Sequence, residues 1–273
     1  RIPNAANWSS IHLRLIDEEL DLAQWDVESF NRRLDMYDGI SYRDVKVTSP
    51  RGNSLQLHVE HLANMAFPDL CLISYSVTSL NYSGKLSLLP LLEANLNERS
   101  EQTEERIWNL LDSGVAHDCA YLWTQTRRED AQVCYAMTYQ FYKNHKEASH
   151  NPIRIEKGKQ TGFSLGIDMK PGDTVTLLKY VVIASSLYYE RQELVEKSIH
   201  IAREAKNKGW ETLTQAHKQA WHDIWEEADV VIEGDPEAQQ GIRYNIFQLY
   251  QPYRGDDPRL NIAPKGFTGE KYG

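Results

Sequence analysis

Cysteine is scarce in this 273-residue chain. Cys71, Cys119 and Cys134 form neither an even set nor a metal-type spacing, which excludes a disulfide-stapled secreted scaffold and favours a reducing, cytoplasmic setting. Long apolar runs are also lacking: Leu86 to Leu92, broken by Ser87 and Pro90, and Tyr180 to Ala184 fall far short of the ~20 residues that cross a bilayer as a helix. Basic charge is in deficit, with 30 Lys and Arg against 39 Asp and Glu and a net charge of −9. Without a basic run to override that balance, nucleic acid and anionic membranes are excluded as expected partners. No Gly-x-Ser-x-Gly, P-loop or Gly-x-Gly-x-x-Gly pattern occurs, so the common sequence signals for an acyl-transfer nucleophile or a nucleotide cradle are missing.

Nine histidines do not supply a metal site by spacing. His58 and His61 are an odd number of residues apart on a strand and point to opposite faces. His217 and His222 are five apart on a helix, unlike the i, i+4 pair of a helical metal centre. His145 and His150 flank a polar loop. Among the acids, Glu101, Glu104 and Glu105 read as a solvated charged stretch and Asp256-Asp257 as a helix-end break, so neither group makes a catalytic carboxylate pair. No metal or organic cofactor is expected.

Two periodicities divide the chain. From Ile11 to about Ser186, short β-branched and aromatic runs alternate with turn signals, and so many strands at roughly 10-residue spacing predict two packed antiparallel sheets. Leu70 to Leu80, Ala116 to Thr126, Gln132 to Tyr142 and Thr174 to Ser185 are among the expected strands. Asp38-Gly39 reads as a type I′ hairpin turn. After Ser186 the period becomes helical. Leu194, Val195, Ile199 and Ala202 mark a first helix that Gly209 stops. A stripe from Trp210 through Leu213, Ala216, Trp221, Ile224 and Trp225 marks a second, on which both tryptophans are expected to be core. Asp235 as N-cap with Pro236 at the first helical position opens a third helix, whose buried face is expected to be Ile242, Ile246, Phe247, Leu249 and Tyr250.

The third helix and the residues after it also carry a resemblance. Gly234-Asp235-Pro236-Glu237 through Tyr250, together with Ile262-Ala263-Pro264-Lys265-Gly266-Phe267-Thr268-Gly269-Glu270-Lys271-Tyr272-Gly273, resembles glycoside hydrolase family 65. The stretch from His217 to Trp225 is similar to that family's helical linker, and Asn4-Ala5-Ala6-Asn7-Trp8 to its N-terminal domain. Ala263 stands where the pattern favours glycine. The resemblance implies a mainly β fold: a large antiparallel β-sandwich over 1–188, a helical linker over 189–229, and over 230–273 the first helix of an (α/α)6 catalytic barrel. The sequence therefore reads as a piece of a longer polypeptide.

The implied activity is inverting cleavage of a disaccharide by phosphate, with maltose giving glucose and β-D-glucose 1-phosphate; trehalose, kojibiose and nigerose are the alternative substrates. A single catalytic glutamate suffices as general acid, because phosphate is already a nucleophile. The resemblance places that glutamate outside these residues, so no catalytic residue is assigned. Lys265, Gly266, Glu270, Lys271 and Tyr272 are the implied substrate-binding rim, with Glu270 fixing the loop. The implied partners are the disaccharide, phosphate as a substrate, and a second copy in a homodimer. A non-catalytic, sugar-contacting sandwich module is the alternative that the seven Trp and 15 Tyr leave open.

Overall fold

The structure, a computed structural model, describes residues 6–94, 107–252, 255 and 257–259. Fourteen strands run in chain order as β1 (Ala6–Asn7), β2 (Ile11–Arg14), β3 (Asp26–Asp35), β4 (Ile40–Thr48), β5 (Ser54–Ala63), β6 (Leu70–Ser79), β7 (Gly84–Ala94), β8 (Trp108–Ala116), β9 (Cys119–Thr126), β10 (Gln132–Lys143), β11 (Lys146–Glu147), β12 (Ile153–Lys157), β13 (Gln160–Met169) and β14 (Thr174–Ser185). The helices α1 (Leu194–Lys208), α2 (Trp210–Ala228) and α3 (Pro236–Tyr250) come after them. The molecule is thus mainly β, as the periodicity predicts.

One sheet has nine strands in the order β3-β4-β5-β6-β14-β10-β9-β8, with β11 on β10; the other has the order β1-β7-β13-β12, with β2 continuing the line of β1 beside β7. Their facing sides bury Val45, Leu57, Val77, Leu88, Phe141, Phe163 and Val181, among others, in one core. The opposite face of the larger sheet is also buried. There Leu62, Leu72, Tyr180 and Val182 meet Leu194 and Ala202 of α1 and Leu213 of α2. This third layer explains why residues 70–73 of β6 and 180–184 of β14 are continuously apolar, where a strand with one wet face would alternate.

Turn chemistry departs from the expectation in one place. Asp35 pairs with Ile40, so the β3–β4 connection has four residues and not the two of a type I′ turn. Gly39 has φ +68° while Asp38 stays out of the left-handed region, and the Asp35 carboxylate accepts the Asp38 N–H at 3.1 Å. The loop with both central residues at positive φ is Asn144-His145 (φ 49° and 63°), closing Lys143 against Lys146 as a type I′ turn requires.

The helices match the expected stripes with two differences. Gly209, at φ 81°, separates α1 from α2, and Asp235 Oδ1 caps α3 by accepting the Ala238 N–H at 3.0 Å. On α3, however, only Phe247 is buried, and Leu249 is 57% exposed. Amphipathic spacing marks apolar positions, but α2 presents one narrow tryptophan ridge and covers one of them fully.

The second difference is His217, which is fully buried on α2 between Leu213 and Trp221. Its Nδ1 accepts the Met65 N–H at 3.0 Å and its Nε2–H donates to the Gly39 carbonyl at 3.1 Å, a pairing that only the neutral ring can make. Burial pulls its pKa down to about 4. Between about 6.5 and about 4 the unfolded chain binds a proton that the folded chain refuses, so stability is lost as pH falls through that window, by about 3 kcal/mol in full. Melting temperature measured from pH 7 to pH 4 should fall less steeply in His217→Gln than in the unchanged chain; equal slopes would show that His217 does not titrate there.

Candidate functional site

His58, His61, His150 and His222 are engaged in structural contacts. His58 holds Asp44 at 2.6 Å on the helix-covered side of β5. His61 lies on the opposite face with its ring 4.8 Å from that of Trp8. His150 Nδ1–H donates to the Ala148 carbonyl at 2.7 Å, and its Nε2 accepts from the Tyr139 hydroxyl at 3.1 Å. His222 binds Asp38 at 2.9 Å and stacks on Tyr37. Among the described residues no three His, Cys, Asp or Glu side chains are grouped to hold a metal. The three cysteines are free and buried, and burial pushes each thiol up to about 12, so none is a thiolate nucleophile at neutral pH.

The helices fasten the C-terminal segment to the sandwich. Asp38, in the β3–β4 turn, receives Lys218 at 2.7 Å and His222 at 2.9 Å from α2. Trp225 donates its indole N–H to the Met36 carbonyl at 2.9 Å. Trp221 stacks on Phe247 of α3 with ring centroids 4.6 Å apart, and Arg243 of α3 grips Asp229 at 2.6 and 2.8 Å. Both tryptophans are therefore packed inside this joint.

Beyond α3 the chain returns to the sandwich. Arg259 forks onto Asp257 at 2.8 and 2.9 Å, donates to the Leu187 carbonyl at 3.3 Å and lies over the Tyr188 ring. The guanidinium holds the Asp257 carboxyl well below the usual carboxylate range. Asp257 thus does more than break a helix: with Pro68, Asp69 and Tyr189 it lines a cavity of about 560 Å³. The rim residues expected from the sequence, Lys265, Gly266, Glu270, Lys271 and Tyr272, lie outside the described residues, as do Glu101, Glu104, Glu105 and Asp256.

The described residues therefore define a class before any particular family. They form a double β-sheet sandwich with helices packed on one sheet. The model of the glycosyl hydrolase family 65 N-terminal domain matches residues 1–224, and the chain belongs to that family. It is similar to maltose phosphorylase from Bacillus subtilis (strain 168), 31% identical over 273 residues and covering 100% of this chain and 35% of the relative. It is also similar to α,α-trehalose phosphorylase from Thermoanaerobacter brockii, 28% identical over 98% of this chain and 35% of the relative. Kojibiose phosphorylase from the same organism is 25% identical over 99% and 36%. The chain thus spans about a third of the length of these relatives. A solved structure from the human microbiome, assigned provisionally as a kojibiose phosphorylase, superposes with a TM-score of 0.82 at 22% identity, over 96% of this chain and 34% of that one, which shows the shared fold.

Proposed function

We propose that this chain is the sandwich-and-linker part of an inverting disaccharide phosphorylase that converts maltose and phosphate into glucose and β-D-glucose 1-phosphate. The observation that carries the reading is the match to a maltose phosphorylase along the whole chain at 31% identity. In the reaction a phosphate oxygen forms the new bond to the anomeric carbon, the glycosidic bond breaks on the opposite face, and a general acid protonates the departing oxygen. No metal or organic cofactor enters this scheme.

Residues 1–188 are assigned to the sandwich, 189–229 to the linker and 230–273 to the start of the barrel. Lys265, Gly266, Glu270, Lys271 and Tyr272 are assigned in this reading to the rim that contacts the substrate. In this reading the protein works in the cytoplasm as a homodimer. The trehalose and kojibiose enzymes, at 28% and 25% identity, make their sugars the second choice, with nigerose beside them.

The test incubates the full-length protein with maltose, trehalose, kojibiose or nigerose plus phosphate and monitors glucose 1-phosphate and its anomer by proton NMR. Maltose should react fastest and yield the β anomer, with a chelator leaving the rate unchanged. The 273-residue chain alone should give none. A faster reaction with another disaccharide replaces the maltose assignment, and no product from any of them leaves the non-catalytic sandwich module.

A further inference from the structure

The inner face of the larger sheet carries a group of cations that the frame itself does not require. Arg32 on β3 and Arg43 on β4 are directly opposite each other in register. They sit on the same face as Val45 and Val59, which enter the inter-sheet core. Like charges placed directly across a sheet repel and destabilise the pair. Arg33, one residue along and on the other face, holds Asp35 at 2.9 Å, and Arg14, Arg51 and Arg203 also sit on carboxylates. Among the described residues, Arg32 and Arg43 have no such partner, although the chain has a surplus of nine negative charges.

The two arginines open onto a recess of about 230 Å³ whose lining includes Ser41, His61 and Tyr75 and no acidic residue. Lys179, fully buried one strand beyond β6 in the row of His61, directs its hydrogens away from the recess to the carbonyls of Trp8, Ser10 and Leu91. Burial, with Arg43, Lys179 and Arg32 around it, pulls His61 down to about 4, so at neutral pH its ring keeps one N–H to donate. Burial likewise keeps the Tyr75 phenol protonated. Two guanidinium forks, a phenol, an imidazole N–H and a serine hydroxyl together offer more donors than the two oxygens of a carboxylate accept, and arginine forks match the oxygens of a phosphate group.

The geometry points to a phosphate-binding recess on the inner face of β3 to β6, held by Arg32 and Arg43 and completed by His61, Tyr75 and Ser41. Its ligand is a phosphate group, free or as the monoester of a sugar. This assignment stands on the sandwich and does not depend on the proposed phosphorolysis.

Isothermal titration of the 273-residue chain at constant ionic strength, with inorganic phosphate in one arm and glucose 1-phosphate in the other, tests it. Saturable binding is expected, weakened about tenfold or more by Arg32→Gln or Arg43→Gln, as loss of a charge-assisted fork requires. Arg43→Lys, which keeps the charge and loses the fork, should fall between. Arg33→Gln, on the opposite face, should bind as the unchanged chain does. Tighter binding of the monoester identifies a sugar phosphate, and equal or weaker binding identifies inorganic phosphate. Because both arginines are exposed, the variants should melt with the parent, which separates lost binding from lost fold. No saturable binding in either arm, or equal affinity in Arg32→Gln and Arg43→Gln to that of the unchanged chain, overturns the assignment.

Discussion

Gly39→Ala should unfold the joint between the sandwich and the helices. A Cβ on Gly39 would lie 2.0 Å from Trp221 Nε1 and 2.2 Å from Cδ1, far inside contact distance, and the indole is only 2% exposed and stacked on Phe247, so it has nowhere to go. The backbone at φ +68° adds the left-handed penalty of a side chain. Overpacking and strain together should cost about 3 to 5 kcal/mol. Trp221→Ala should cost about as much for the opposite reason, by opening a cavity. The two effects share one cause, so they should not add. Denaturant unfolding of Gly39→Ala, Trp221→Ala and the double variant should show the pair at least about 1 kcal/mol more stable than the sum of the single losses predicts. Strict additivity would mean that the turn and the indole do not touch in solution.

Lys179→Met should destabilise the sandwich although it removes a buried charge. Replacing a buried ion by an apolar side chain is often harmless, because the desolvation penalty goes with it. Here the ammonium donates to the carbonyls of Trp8, Ser10 and Leu91 at 2.6, 2.9 and 2.8 Å, and these belong to the gap between β1 and β2 and to β7. Burial pulls the amine down to about 7, while three acceptors at hydrogen-bond distance favour the ammonium. Methionine fills the volume and leaves those oxygens short of donors, which should cost about 3 kcal/mol. The loss should be local first: amide hydrogen exchange should accelerate in β1, β2 and the middle of β7 before it does in β10. A variant as stable as the parent would show that the lysine only fills space.

The proposed phosphorolysis and these two effects concern different levels of the protein. Gly39, Trp221 and Lys179 determine whether the frame holds, whereas the proposed chemistry belongs to groups that the frame carries. This division explains why so little of the site was legible. Lys265 to Tyr272 stand out in the sequence through a family pattern, and that pattern carries no geometry with it.

Much of the fold was legible without a structure. β-branched and aromatic runs between turn signals set out β10 and β14, the helical period set out α1 and α2, and Asp235-Pro236 set the start of α3, because each signal is local: it depends on a residue's own backbone preference and on neighbours within a turn. His217 could have been read the same way, since it stands four residues from Leu213 and four from Trp221 on the buried stripe. What the tertiary structure alone decided depends on residues far apart in sequence. Glycine became obligatory at position 39 of the four-residue β3–β4 turn because Trp221, 182 positions away, occupies the space a Cβ would need. Leu249 stayed exposed because α2 offered Phe247 the better seat. Lys179, a lone cation in an apolar strand, gained its role from carbonyls 169 to 171 positions earlier in the chain and 88 positions earlier. Arg32 and Arg43 became a facing pair through register. Sequence spacing encodes which residues want to be buried or charged, but only packing brings distant partners together, and it is those partners that turn a preference into a site.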